Sequence, residues 1–96
     1  MSRYVVSPRA QQDLGEIWDY TAKRWGIDQA EAYIRLIQHA IETVADDSRK
    51  GRPCDEVRVG YRTYPVGSHM IMYREEDSGI DVVRVLHSRM NFEQHI

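Results

Sequence analysis

From Ile80 to His87 the chain reads Ile-Asp-Val-Val-Arg-Val-Leu-His, its densest β-branched run. Alternation of apolar and polar residues is nearly lost there. The pattern predicts a strand covered on both faces, begun at Gly79 and ended at Ser88-Arg89. Two other stretches carry helical spacing. Ala10, Leu14, Ile17, Trp18, Thr21 and Trp25 form one apolar stripe, with Asp13, Glu16, Asp19, Lys23 and Arg24 assigned to the rest of the wheel. Ala30, Tyr33, Ile34, Ile37, Ala40, Ile41, Val44 and Ala45 form the second. Ser7 reads as the N-cap of the first helix, Pro8 as its first residue and Gly26 as its stop. Asp28 and Glu31 predict a variant capping box for the second helix. Only about two residues separate the helices, so they are expected to pack antiparallel.

The remaining strands are shorter. Residues 3–6 form one candidate. Residues 46–56 are polar, with Gly51 and Pro53, and predict a loop. Val57 to Tyr64 reads as a strand stopped by Pro65, and 66–68 as a turn. In the strand from His69 to Arg74, His69, Ile71 and Tyr73 face one way and Met70, Met72 and Arg74 the other. Residues 75–79 connect to the final strand, and Met90 to Ile96 add a helical turn or lie extended. The expected fold is one α+β domain over residues 1–96. Its order is β-α-α-β-β-β, with a helical hairpin packed on one face of a largely antiparallel sheet. A chain of 96 residues buries a modest core, so a partner would add to its stability.

Charge changes this picture little. The chain has 13 basic and 15 acidic side chains, so nothing in the total demands nucleic acid. A local basic edge runs through Arg49, Lys50, Arg52, Arg58 and Arg62. The single cysteine, Cys54, fits a reducing, cytoplasmic setting and reads as a bystander thiol. No apolar leader opens the chain, and no run approaches the roughly 18 apolar residues of a membrane span. His39, His69, His87 and His95 lack metal-ligand spacing, and no phosphate loop, H-E-x-x-H or nucleophile elbow is present. No metal or cofactor is expected.

One constellation remains. His69, Tyr73, Arg62, Arg84, His87 and Arg89 belong to the C-terminal strands or their ends, and a meander could bring them onto the sheet face the helices leave open. Guanidinium and imidazole groups together suit RNA cleavage, by holding phosphate and moving protons. They also suit a docking face anchored by Arg and Tyr, or a structural role in which Arg84 pairs with Asp81, Glu16 or a similar acid while the others are solvated. Trp18 and Trp25, seven apart, read as core packing, with a groove for a partner's helix along Trp18 and Ile17 as the alternative.

The chain resembles the ParE toxins of the RelE/ParE toxin–antitoxin superfamily over nearly its whole length. The resemblance rests on Asp13-Leu14-x-x-Ile17-x-x-Tyr20, Trp25-Gly26, Gln29-Ala30-x-x-Tyr33, Gly60-Tyr61-Arg62, Gly67-Ser68-His69, Tyr73-Arg74 and Arg84 to Asn91. It implies a non-enzymatic toxin that inhibits or poisons DNA gyrase and blocks replication. It also implies a hetero-oligomer with a ParD-type antitoxin, whose disordered C-terminal part folds onto the toxin and which alone contacts DNA. The expected antitoxin contacts are Trp18, Arg62, Tyr64, Tyr73 and Arg84. The expected gyrase contacts are His87, Arg89, Met90, Phe92 and Ile96. The alternatives are a RelE-like ribosome-dependent mRNA endonuclease using Arg62, His87 and Arg89, and an inactive antitoxin-binding relative. The absence of a tyrosine after His87 and the net charge of −2 weigh against the nuclease.

Overall fold

The computed structural model describes residues 3–89. Strand β1 (Arg3–Val6) leads into helix α1 (Pro8–Trp25) and helix α2 (Ile27–Asp46). A short 3₁₀ turn (Ser48–Lys50) and β2 (Arg52–Pro53) follow, then β3 (Tyr61–Val66), β4 (His69–Glu76) and β5 (Gly79–His87). The sheet has five strands in the order β1-β5-β4-β3-β2. Only β1 runs parallel to its neighbour, pairing Arg3 with Gly79 through to Val6 with Val82. The result is the expected α+β architecture, with the final apolar run inside the sheet, between β1 and β4.

Local chemistry explains most boundaries. The Ser7 hydroxyl oxygen accepts the Ala10 N–H at 3.0 Å and donates to the Val83 carbonyl at 2.9 Å. One side chain therefore caps α1 and ties it to β5. Gly26, at φ 97°, ends α1 by returning its N–H to the Ala22 carbonyl. The same glycine is the N-cap of α2, with no side-chain cap. The capping box expected at Asp28 and Glu31 is therefore not formed. A single residue joins the helices, and Asp28 falls inside the first turn, where its charge still favours the helix dipole.

The strand expected at 57–64 is displaced to Tyr61–Val66. Its predicted first half is a turn, in which the Cys54 carbonyl accepts from Val57 N–H at 2.9 Å and Arg58 N–H at 3.1 Å. Asp55 Oδ1 accepts the Gly60 N–H at 3.0 Å, and Gly60 adopts φ 86°. Pro65 lies within β3 rather than after it. β2 covers only Arg62 and Thr63, so no neighbouring strand asks for the N–H that Pro65 lacks. Cys54 is buried, and that burial, with Glu56 and Asp55 nearby, pushes its thiol pKa up. It is a poor nucleophile.

The helices cover the sheet face formed by Ile71, Tyr73, Ile80, Val82 and Val85, and Ile17, Ile37, Ile41 and Val44 meet them there. The far face is not bare: Thr63, Met72 and Leu86 are buried. Trp25, expected in the core, is 65% exposed, and the Arg24 guanidinium lies 5.6 Å from its ring centre. Trp18 is half-buried.

At one end of β4 the 3₁₀ turn is clamped to the sheet. The Tyr73 hydroxyl donates to the Ser48 carbonyl, Ser48 Oγ donates to Glu75 at 2.6 Å, and Arg62 binds Glu75 at 3.1 Å and the Gly51 carbonyl at 2.9 Å. The bond from Ser48, then that from Arg62, holds the Glu75 carboxyl below its usual pKa. A depressed carboxylate pKa adds stability above the unfolded value, near 4.5, and loses it as pH falls through the folded value. Glu75→Gln is therefore expected to flatten the acid limb of a urea-midpoint profile below about pH 4.5. An unchanged limb would assign the acid sensitivity to other carboxylates.

Candidate functional site

The buried charge in β5 has a partner that the sequence reading placed in water. Asp13 lies on the apolar stripe itself, three residues after Ala10 and four before Ile17. Its carboxylate accepts from Arg84 Nε at 2.7 Å, Arg84 Nη2 at 2.9 Å and the Val85 N–H at 3.0 Å. The bond to Asp13 raises the Arg84 pKa against the opposing effect of burial, and the charges of Asp13 and Glu16 add to the rise. The ladder explains the need. Met72 pairs with Arg84 but Tyr73 with Val82, so Val83 is the extra residue of a bulge. Past Val82 the chain of β1 has left the sheet, and Asp13 supplies the acceptor that a strand would have supplied to Val85.

This register breaks up the expected constellation. Tyr73 is fully buried on the helix side and bonds the 3₁₀ turn. Arg62, its cross-strand partner, is held by Glu75 and Gly51. Tyr64 packs partly buried against the same core. Arg84 is 7% exposed. These residues do not gather on an open face, and Tyr73 and Arg84 offer a partner almost no surface. Arg62 also sits near the opposite end of β4 from His69 and His87, roughly 13 Å along the strand, so the Arg62–His87–Arg89 set expected of a nuclease does not converge. Met90, Phe92 and Ile96 lie outside the described residues.

A different group does converge. His69 and His87 are direct cross-strand partners, with ring centres 5.3 Å apart in an edge-to-face contact. They floor a groove between the sheet end and the helical hairpin. One lobe, about 400 Å³, runs past Arg9, Glu16, Ile17 and Tyr20. A second lobe, about 680 Å³, runs past Tyr20, Arg24, Trp25, Gln29 and Tyr33. Tyr33 joins α2 to this floor. Its hydroxyl lies 2.6 Å from His69 Nδ1, accepts the Ser68 N–H at 3.0 Å and is 3.4 Å from the Val66 carbonyl. Gly67, at φ 56°, opens the two-residue turn beneath it, as the first position of a type II′ hairpin requires. Burial, then the neighbouring His87, lowers the His69 pKa. The Arg89 N–H donates to His87 Nδ1 at 3.2 Å. Tyr20, at 64% exposure, and Trp25 make the groove wall an exposed aromatic surface.

The sequence suggested a groove beside Trp18 and Ile17 but not this floor, which joins residues 18 apart in the chain through strand register, nor the walls at Tyr20, Trp25 and Tyr33. The signal available was the tyrosine and tryptophan spacing around Gly26, which is too regular to distinguish buried from exposed. No described helix is long and apolar enough to cross a membrane.

Comparison with known proteins bears on this geometry. Residues 4–92 match the family model described as ParE toxin of type II toxin-antitoxin system, parDE. A protein named Toxin ParE1 from Mycobacterium tuberculosis is 55% identical over 96 residues, covering 99% of this chain and 98% of that protein. A Toxin ParE1 from Caulobacter vibrioides is 41% identical, covering 100% of this chain and 99% of its own length. Among solved structures, one titled "Chromosomal ParDE TA system from P. aeruginosa" superposes with a TM-score of 0.78 at 18% identity. It covers 91% of this chain and 96% of that one, and shares the fold.

Proposed function

The chain belongs to the ParE toxins of type II toxin–antitoxin systems, and we propose that it arrests growth by binding DNA gyrase and is silenced by a ParD-type antitoxin. The observation that carries this reading is the 55% identity with a ParE1 toxin across essentially the full length of both chains. The site chemistry agrees with a binding role. The groove offers exposed aromatics rimmed by Arg9 and Arg24, the composition of an anchoring surface. A disordered antitoxin segment that folds along it would cover Tyr20 and Trp25 and reach the half-buried Trp18. Arg62 and Tyr64, partly exposed on the sheet, are the remaining candidate antitoxin contacts.

Gyrase contact is assigned to the far end of β5 and the residues after it: His87, Arg89, Met90, Phe92 and Ile96. The toxin acts in the cytoplasm, where gyrase is, and without catalysis. Removing residues 92–96 is expected to abolish growth arrest while the truncated chain still co-purifies with its antitoxin. Full toxicity of the truncated chain would remove the tail from the gyrase surface. Loss of antitoxin binding as well would mean that the tail serves both partners.

A further inference from the structure

We propose that His69 and His87 form a two-imidazole chelate for a divalent first-row metal ion of the zinc, nickel or copper kind on the floor of the groove. This assignment is independent of the toxin reading. Directly opposed residues in an antiparallel pair hold their Cβ atoms about 4.5–5.5 Å apart, and His69 and His87 are such a pair. Two imidazoles on one ion, each at a metal–nitrogen distance of about 2.0–2.1 Å and a near-tetrahedral angle, place their ring centres roughly 5 Å apart. The observed separation is 5.3 Å. The ring centres are therefore already at the separation that a shared ion requires, and turning the edge-to-face rings would bring both Nε2 atoms to it.

The nitrogens are arranged for it. Each Nδ1 is engaged inside the protein, His69 with the Tyr33 hydroxyl and His87 with the Arg89 N–H. Among the described residues no hydrogen bond engages either Nε2, and neither is sealed in the interior. A metal on His69 Nε2 requires the proton on Nδ1. That proton is donated to the Tyr33 oxygen, which also takes the Ser68 N–H and turns its own proton to the Val66 carbonyl. Such a partner on the second ring nitrogen fixes tautomer and ring orientation at metal sites. His87 moves its proton from Nε2 to Nδ1 on binding and gives up the 3.2 Å bond from Arg89, the longest bond to either ring. The ring stays neutral, so no net proton is lost.

Among the described residues no group of three or more His, Cys, Asp or Glu is placed to hold a metal ion. Water would complete the coordination. Imidazole donors favour zinc, nickel and copper, and exclude magnesium and calcium as good occupants. A bound ion would tie the start of β4 to the end of β5 across the groove floor.

The test is amide NMR of the full-length labelled chain with substoichiometric Cu²⁺ at pH 7.5, beside calorimetric titration with Zn²⁺ and Mg²⁺. Paramagnetic broadening is expected to centre on Ser68, His69, His87 and Ser88. Zn²⁺ is expected to bind one to one and Mg²⁺ not to bind. His69→Gln and His87→Gln should each weaken Zn²⁺ at least tenfold, with the dispersed spectrum confirming the fold. His39→Gln, at an exposed position on α2, should change nothing. The broadening map needs no variant, so it decides even if a substitution disturbs folding. Broadening centred on His39 or His95, or zinc affinity that survives loss of both groove histidines, overturns the proposal.

Discussion

Asp13→Ala is expected to cost about 3–5 kcal/mol, the range for removing one member of a buried ion pair. The two side chains are 7% and 8% exposed, so water cannot replace the missing carboxylate as it would at the surface. Three donors lose their acceptor at once: two from the Arg84 guanidinium and the Val85 N–H. A domain of this size has a total stability of about 5–15 kcal/mol, so the loss takes much of it. Asp13→Asn is expected to fall between the parent and the alanine variant. Its amide oxygen can still accept from Val85, but it offers Arg84 no charge. Urea unfolding of the three proteins provides the check. A cost below about 1 kcal/mol for Asp13→Ala would put the pair in the class of exposed salt bridges and remove it as the joint between α1 and β5.

Gly79→Ala is the second large effect expected, a loss of about 3 kcal/mol or more, above the usual cost of overpacking because backbone is in the way. A Cβ at this position would lie 2.6 Å from the carbonyl carbon of Arg3 and closer still to its oxygen. Neither atom can rotate aside, so β1 itself must move. β1 is a short edge strand, and the residue after it caps α1 while its N–H bonds the Val82 carbonyl at 3.0 Å. Displacing β1 therefore loosens both the parallel ladder and the helix start. Faster amide exchange confined at first to residues 3–10 and 80–83 would accompany the loss in urea unfolding. An alanine variant as stable as the parent would show that β1 shifts at little cost.

The contrast between these two positions bears on what the sequence revealed. Gly79 was legible as the start of a strand, but its tight contact was not, because only the parallel pairing brings Arg3 against it and nothing in the local pattern announces that pairing. Asp13 was legible in another sense. Its spacing from Ala10 and Ile17 put it on the buried stripe, and its charge argued it away from there. The helical stripes, the Ser7 and Gly26 caps, and the final strand emerged directly from periodicity and turn chemistry, because those signals are local. In β4 the alternation separated His69, Ile71 and Tyr73 from Met70, Met72 and Arg74 correctly. Both sets are apolar enough to face helices, so the sequence did not say which would, and the candidate site was placed on the wrong side of the sheet. The groove depends on register across β4 and β5 and on which aromatics the hairpin leaves outside. Both are tertiary facts.

This chain is proposed to stop growth through gyrase rather than through RNA. The most direct test is a short induced expression in bacteria without antitoxin, scoring the DNA-damage response and bulk protein synthesis in the same culture. Early damage induction is expected while translation continues, with the damage response abolished by co-expressing the antitoxin. Rapid translation arrest with cleaved mRNA and no early damage signal would contradict it and assign the chain to the nuclease branch of the superfamily.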